Sequence, residues 1–268
     1  MASVIVRHSH NVGRDVLNDR HLNVIPPDSR DKVPLLCIVV PCYNEEEVLP
    51  QSGSILASTV DNLIGKGKVS PDSRIIFVDD GSKDSTWDII ASLHENNHIF
   101  TGIKLAHNEG HQRALYAGLM DALDRGCNIS VSIDADLQDD VNVIEEMVDK
   151  YAAGAEIVYG VRNNRDTDTG FKRNTAQAYY RLMNKLGAEV VYNSADFRLM
   201  SARALKALAQ YREANLFLRG MVPSLGFKTS EVYYSRKERM AGESKYPLRR
   251  CSPSQPRESR HSPLSPCT

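Results

Sequence analysis

The sequence has no long hydrophobic run and no surplus of charge of either sign. Its most apolar segment, Leu35 to Val40, has the length of a buried strand and falls short of the ~18–20 apolar residues that span a bilayer. Charged and polar residues, among them Arg7, His8 and Arg14, interrupt the N-terminus, where a signal peptide would be apolar. The sequence therefore predicts neither a signal peptide nor a transmembrane helix.

Charge and cysteine content exclude two further classes of protein. The 33 basic and 34 acidic residues give a formal net charge of −1, which removes the electrostatic basis for general nucleic-acid binding. The cysteines are odd in number, five in all, and show no paired spacing typical of zinc ligands. They indicate a reduced, cytoplasmic setting with ordinary core thiols.

Composition divides the 268 residues into three parts. Residues 1–33 are polar and aperiodic, which predicts a poorly ordered leader. Residues 34–248 are long enough to bury one large core. Residues 249–268 are rich in Ser and Pro and have almost nothing to bury, so we expect a disordered tail.

The central part alternates short apolar runs with amphipathic helical patterns. Thr86, Ile89, Ile90 and Leu93 have helical spacing, and the Ser85-x-x-Asp88 pattern favours a capping box at the start of that helix. Helices are also predicted over 171–186 and 201–211, and a short strand or hairpin over 222–234. The predicted strands are Leu35–Val40, Arg74–Val78, Ile99–Leu105, Ile129–Ile133 and Glu156–Tyr159. This alternation predicts an α/β fold with a doubly wound, mostly parallel sheet, which binds ligands at the carboxyl ends of its strands.

Two carboxylates one residue apart, Asp134 and Asp136, follow the strand Ile129–Ile133. Carboxylates supply the hard oxygen ligands that Mg²⁺ or Mn²⁺ takes together with phosphate oxygens and water. The alternative is that they cap the next helix.

Two other strand ends carry polar motifs. Tyr43, Asn44 and Glu45 follow the first strand and have side chains suited to a base or sugar, although this motif, taken alone, is better explained by a turn and an acidic first helical turn. Asp79 and Asp80 follow the second strand, where a carboxylate facing the crevice would accept the imide N–H of a uracil; the alternative is that these carboxylates serve as N-caps.

Together these motifs resemble a family 2 glycosyltransferase of the GT-A fold. The residues that carry the resemblance are Pro41-x-Tyr43-Asn44-Glu45, Asp79-Asp80-Gly81-Ser82-x-Asp84-x-Thr86 and Asp134-x-Asp136-x-Gln138. Three more motifs resemble the polyprenyl-phosphate branch, which includes dolichol-phosphate mannosyl synthase and bacterial undecaprenyl-phosphate glucosyltransferases. They are Asn108-Glu109-Gly110-His111-Gln112, Ala195-Asp196-Phe197-Arg198-Leu199 and Arg239-x-x-Gly242-x-Ser244-Lys245.

The resemblance implies an inverting, metal-dependent transfer of a sugar, most readily glucose from UDP-glucose, to a polyprenyl phosphate. It implies Mg²⁺ or Mn²⁺ held by Asp134, Asp136 and Gln138. The implied nucleotide-sugar contacts are Pro41, Tyr43, Asn44, Glu45, Asp79, Asp80, Gln112, Asp134 and Ala135. The implied acceptor-phosphate contacts are Arg162, Arg173, Arg239, Ser244 and Lys245.

Three residues are the candidate catalytic groups: Asp136, Asp196 and Arg198. Asp196 is the best candidate for a base or an orienting carboxylate, and an ion pair with neighbouring arginines explains it equally well. Arg198 is a further candidate for the acceptor phosphate. His111 suits helix-start or donor-side positioning, whereas Asp139 and Asp140 are expected to cap the following helix.

The resemblance also implies membrane helices after the Ser244-Lys245 loop, where this chain turns into its Ser/Pro-rich tail. A truncated or frame-shifted product and a natural or artificial ending both remain open. We expect a cytoplasmic protein or one peripheral on the cytoplasmic face of the membrane, and a homo-oligomer is compatible with the sequence. The alternative functions are transfer from another nucleotide sugar, transfer to a saccharide acceptor, and an inactive nucleotide-sugar-binding remnant.

Overall fold

The computed structural model describes residues 32–163, 194–211 and 217–235. Seven strands form one sheet in these ranges. They are β1 (Leu36–Cys42), β2 (Arg74–Asp79), β3 (Phe100–Lys104), β4 (Ile129–Ser132), β5 (Ile157–Arg162), β6 (Ser194–Ser201) and β7 (Thr229–Tyr234). The helices are α1 (Leu49–Gly65), α2 (Thr86–Asn96), α3 (His111–Asp124), α4 (Ile144–Ala152), α5 (Ala202–Leu208) and α6 (Leu218–Ser224).

The strand order is β3-β2-β1-β4-β6-β5-β7. Within the described sheet β6 alone runs antiparallel to its neighbours, β4 and β5, and the other pairings are parallel. The prediction of an α/β fold with a mostly parallel sheet is therefore confirmed.

Each strand face packs against its own helices because successive side chains point to opposite sides of a sheet. Leu36, Ile38 and Val40 of β1 belong to the core beneath α1, α2 and α4. Cys37 and Val39 belong to the core beneath α3, α5 and α6. All seven residues of β1 are buried, as expected for a central parallel strand.

Three local predictions need correction. Strand β6 was not predicted, and the segment 222–234 contains the end of helix α6 as well as β7. The Ser85 side chain makes no capping hydrogen bond; the Oδ1 atom of Asp84 accepts one from the Thr86 amide instead, at 3.1 Å. The predicted helix over 171–186, the predicted tail and nearly all of the predicted leader lie outside the described residues.

None of the described helices is both long enough and apolar enough to cross a bilayer.

Candidate active site

The predicted motifs meet at the carboxyl edge of the sheet. Strands β1, β2 and β4 are parallel and end at this edge, so the loops that follow them are neighbours. Strand β6 is antiparallel to β4, with Arg198 opposite Ser132. Its amino-terminal half, including Asp196, therefore lies beside the end of β4. The reversed strand thus adds an acidic side chain to a crevice otherwise built from parallel strand ends.

The loops after β1 and β2 hold each other through side chain to backbone hydrogen bonds. Asn44 has a left-handed backbone (φ 51°), and its Oδ1 accepts from the Lys83 amide at 2.9 Å. The amides of Asn44 and Glu45 donate to Ser82 Oγ and Thr86 Oγ1, at 3.0 and 2.8 Å. These contacts fix the start of the loop in which Tyr43 lies half-buried, two positions after the buried Pro41.

Asp79 and Asp80 have different environments. Both oxygens of Asp80 accept backbone hydrogen bonds, from the amides of Glu109 (2.7 Å) and Gly110 (2.9 Å), and burial raises the pKa of this carboxyl. Asp79 is fully buried; its Oδ1 accepts from the Ser82 amide, and its Oδ2 has no hydrogen-bond partner among the described residues. A buried acceptor without a partner is unusual. Asp79 is therefore the better of the two candidates to accept a hydrogen bond from a ligand.

Gly81 lets the loop after β2 approach the loop after β3 closely. Its φ is +68°, and a Cβ there would lie 2.7 Å from the Asn108 amide nitrogen and the His107 carbonyl carbon. Any other residue would therefore push apart the loops that Asp80 joins.

The loop after β4 presents its candidate ligands on one side. Asp134, Asp136 and Gln138 are half-buried, whereas the intervening Ala135 and Leu137 are buried. The left-handed Leu137 (φ 45°) and the hydrogen bond from its amide to the Asp134 carbonyl make the turn. The Ala135 carbonyl accepts from Ser52 Oγ of α1 at 2.6 Å, which anchors the loop from behind.

These three side chains fit a divalent cation whose remaining ligands come from a diphosphate. Burial, together with the charges of Asp139, Asp196 and Asp136, raises the pKa of Asp134 to about 6, although His111 opposes the shift. A cation would relieve that repulsion. Across the described ranges, no three His, Cys, Asp or Glu side chains form a cluster able to hold a metal alone. Mg²⁺ sites with one or two carboxylates are completed by substrate phosphates and water.

Asp196 is the centre of a buried polar cluster. Arg198 donates to its Oδ1 at 2.6 Å, and Gln112 donates to its Oδ2 at 3.1 Å. Arg219 donates from Nε to Oδ1 (3.2 Å) and from Nη2 to Oδ2 (3.1 Å). Burial alone would raise the pKa of Asp196, but its bond to His111 and the two arginines hold that pKa well below its usual range.

His111, the first residue of α3, lies between the two acidic groups. Its Nε2 is 3.4 Å from Asp196 Oδ2 and 3.7 Å from Asp134 Oδ1. Burial works against the charged imidazole, yet the bond to Asp196 and the charge of Asp134 raise its pKa above the ordinary value. His111 therefore links the loop after β4 to the Asp196 cluster.

Two sequence-based assignments change. Arg198 is only 3% exposed and also donates to the Leu218 carbonyl at 3.4 Å, so it holds Asp196 in place and does not face an acceptor phosphate. Asp139 is 2% exposed and does not cap a helix. It accepts hydrogen bonds from Arg162 (2.9 Å) and the Tyr234 hydroxyl (2.7 Å), while Asp140 caps the turn at 141–143 as expected.

Gln112 also has a structural contact, because its Oε1 accepts from the Leu218 amide at 3.2 Å. It ties α3 to α6 as well as to Asp196. Arg173, Arg239, Ser244 and Lys245 lie outside the described residues, so their assignment to the acceptor phosphate stays a prediction.

Arg219 is the residue of the cluster that the sequence analysis missed. It follows an apolar stretch, Leu216–Leu218, and no charged neighbour marks it. The only signal was an isolated arginine next to a glycine, 23 positions after Asp196. That pattern is common on helix surfaces and has little specificity.

Comparison with known proteins places this site in context. The family model described as "Glycosyl transferase family 2" matches residues 37–209. "Uncharacterized glycosyltransferase YkoT" of Bacillus subtilis is 58% identical over 217 residues, which cover 81% of this chain and 64% of YkoT. The chain thus spans somewhat less than two thirds of that relative. "Bactoprenol glucosyl transferase" of Shigella phage SfV is 37% identical over 79% of this chain and 66% of its own length.

A solved structure shares the architecture. Glucosyl-3-phosphoglycerate synthase from Mycobacterium tuberculosis, in complex with Mn²⁺, UDP and phosphoglyceric acid, superposes with a TM-score of 0.52 at 16% identity. The match covers 81% of this chain and 73% of the synthase, and it identifies the fold as GT-A.

Proposed function

Because the chain belongs to glycosyltransferase family 2, we propose that it transfers glucose from UDP-glucose to a polyprenyl phosphate. Membership of the family supports transferase activity, and the sugar, the acceptor and the metal are further parts of the proposal. The relatives named bactoprenol glucosyl transferase support the acceptor class, and the Mn²⁺ and UDP bound to the solved synthase support the donor side.

The position of His111 is the observation that carries the proposal. One imidazole nitrogen lies within 3.7 Å of both Asp134 and Asp196. The loop suited to a metal diphosphate and the cluster rich in arginine therefore meet at one point. A transfer from a nucleotide sugar to an anionic acceptor needs that arrangement, because the acceptor oxygen must reach the anomeric carbon of the donor while the diphosphate leaves it.

On the donor side, we assign Asp134, Asp136 and Gln138 to the metal and Tyr43 and Asp79 to the nucleotide. The Oδ2 atom of Asp79, which has no partner within the described ranges, is suited to accept an imide N–H from uracil. A bound Mg²⁺ or Mn²⁺ would neutralise the charge that develops on the leaving diphosphate.

On the acceptor side, a phosphate oxygen is the nucleophile. It is already ionised near neutral pH, because the second pKa of a phosphomonoester is about 6. A strong general base is therefore unnecessary. This suits Asp196, whose lowered pKa makes it a weak base. We assign Asp196 to orienting its arginine partners and the incoming phosphate.

Arg162, Arg173 and Arg239, with Ser244 and Lys245, remain our proposed further contacts to the acceptor phosphate. Asp139 and the Tyr234 hydroxyl hold the Arg162 side chain, which is 24% exposed. The lipid acceptor implies that the reaction takes place at a membrane surface, for which the sequence favours the cytoplasmic face.

A donor panel tests the proposal. The full chain is incubated with Mg²⁺ or Mn²⁺, a short-chain polyprenyl phosphate and radiolabelled UDP-glucose, UDP-N-acetylglucosamine or GDP-mannose. We expect solvent-extractable label from UDP-glucose above the other donors. Label from another donor alone would reassign the sugar, and no label from any donor, beside measurable UDP binding, would favour a binding remnant.

The metal assignment is tested by Asp136→Asn, which keeps the side chain's size and removes its charge. We expect turnover to fall about 100-fold, because charge stabilisation of the leaving group is lost. We also expect Mg²⁺ to stop improving UDP affinity. The control is Asp149→Asn on α4, where the carboxylate is 55% exposed and paired with Lys68. Equal turnover in the two variants would remove Asp136 from the metal site.

A further inference from the structure

Arg219 forms a two-point contact with Asp196 while remaining half exposed. Its Nε and Nη2 atoms lie 3.2 and 3.1 Å from the two carboxylate oxygens, and 48% of its side chain is accessible. A guanidinium has five N–H donors in one plane. In the part of the chain that the structure describes, Asp196 engages one edge only. Among the described residues, Nη1 of Arg219 has no hydrogen-bond partner, which leaves that edge for a second anion.

Asp196 has a second positively charged partner besides Arg219. Arg198 already pairs with that carboxylate at 2.6 Å and is almost completely buried. Counting −1 for Asp196 and +1 for each arginine, the three groups sum to +1. Gln112 and His111 add further donors to the same carboxylate. Asp134 is a further acidic group whose charge acts on Arg219, and Arg219 is the member of this ion-paired cluster that solvent and ligands reach.

The three arginines that the structure describes at this site differ in how firmly they are held. Arg198 is buried, and Arg162 is held by Asp139 and Tyr234 at 24% exposure. Arg219 lies on the short helix α6 and contacts Asp196 with one edge. Of the described arginines around this crevice it therefore best combines fixed orientation with access. Those two properties suit the planar recognition of a phosphate.

We propose that Arg219 binds the phosphate of the acceptor while Asp196 holds its guanidinium in orientation, so that it selects phosphorylated over hydroxyl acceptors. This inference rests on the proposed function, because it assigns a residue to the acceptor of that reaction. Without Arg219, the Asp196 carboxylate would lose the more exposed of its two arginine partners, and an incoming dianion would meet more of its negative charge.

Calorimetric binding to the full chain, with Mg²⁺ and UDP present, tests this role. The probe is geranyl phosphate, a short prenyl monophosphate, and geraniol is its uncharged counterpart. We expect Arg219→Gln to bind geranyl phosphate about 10- to 100-fold more weakly than the wild type, the usual loss for a hydrogen bond to a charged group. Geraniol should bind both proteins weakly and equally. UDP affinity should stay within about twofold, which also reports that the variant is folded.

The matched control is Arg203→Gln on α5, an arginine that is 65% exposed and 3.9 Å from Glu156. It should bind geranyl phosphate like the wild type. Arg219→Lys keeps the charge but not the planar fork, so its affinity should fall between those of the wild type and Arg219→Gln. If Arg219→Gln does not fold, the loss of affinity in Arg219→Lys decides the question.

Geranyl phosphate affinity within twofold of the wild type in Arg219→Gln would overturn the inference. So would equal binding of geraniol and geranyl phosphate by the wild type. Turnover separates this inference from the proposed function. If the wild type makes glucosyl lipid and Arg219→Gln leaves the acceptor KM unchanged, Arg219 is wrongly assigned and the function stands. If geranyl phosphate binding depends on Arg219 but no sugar is transferred, the function is wrong and the assignment stands.

Discussion

At the residue scale, Asp196 determines how the site is charged. Five nitrogen atoms, from Gln112, His111, Arg198 and Arg219, lie within 3.4 Å of its two oxygens. A carboxylate so surrounded remains ionised and gains little by accepting a proton. The group that the motif suggests as a base is therefore better suited to keeping two arginines in place.

Replacing Asp196 with asparagine tests this role through stability. We expect the variant to lose about 3 kcal/mol at pH 7, because Arg198 remains buried without its counter-charge. The folded pKa of Asp196 lies below the unfolded value of about 3.9. Its contribution is therefore complete above that pH and is lost as pH falls toward the folded pKa. The difference between the two proteins should shrink below about pH 4 in urea denaturation.

Asp149→Asn, which removes an exposed carboxylate paired with Lys68, is the control and should leave stability unchanged. Equal stability of Asp196→Asn and the wild type at pH 7 would show that Arg198 does not depend on this partner.

Residue types at strand ends predicted where the candidate ligands lie, whereas they did not predict the ion pairs. Asp134, Asp136 and Gln138 follow a strand, as the sequence indicated, and the structure shows that all three are half-buried in one loop. From the sequence, Asp139 resembles a helix cap. Its actual partners, Arg162 and Tyr234, lie 23 and 95 positions further along the chain. Such distant partners leave no local pattern.

At the scale of elements, the packing of α3 against β1 and β2 positions His111 and Gln112. Gly118 makes this contact possible, because a Cβ there would lie 2.4 Å from Val39 Cγ1 and 2.7 Å from Val78 Cγ2. Valine side chains are stiff at χ1 and cannot move aside easily.

We therefore expect Gly118→Ala to lower the free energy of unfolding by about 1–3 kcal/mol, the usual cost of overpacking. It should also reduce turnover, since α3 would shift with His111 at its first turn. Gly65→Ala is the matched control at the end of α1, where a Cβ meets nothing within 4 Å, and it should be neutral or slightly stabilising. Urea denaturation of both variants checks the comparison, and equal stabilities would contradict the packing argument.

Strand β6 shows what periodicity could not predict. It contains Asp196 and Arg198, which are only 5% and 3% exposed. They alternate along the strand with Phe197 and Leu199, which are also buried. A strand with charged residues inside is a poor match to patterns that expect polar side chains in solvent. The charges are tolerated because they pair with each other, and only tertiary structure supplies that information.

At the scale of the whole molecule, one reversed strand unites the two halves of the site. Strands β1, β2 and β4 bring the nucleotide-side loops to one edge. Strand β6 begins at that edge and lies between β4 and β5 in the sheet. The alternation of strands and helices predicted the mostly parallel sheet. The order in which β6 enters depends on pairings between strands far apart in the chain and could not be read from local sequence.

The most direct test of glucosyl transfer to a lipid phosphate is NMR analysis of the product made from UDP-glucose and a short-chain polyprenyl phosphate. We expect one β-linked glucosyl phosphodiester for each UDP released. Attack by the acceptor phosphate on the face opposite the leaving diphosphate inverts the α-configured donor. Free glucose without lipid-linked sugar, or an α-linked product, would contradict the proposed reaction.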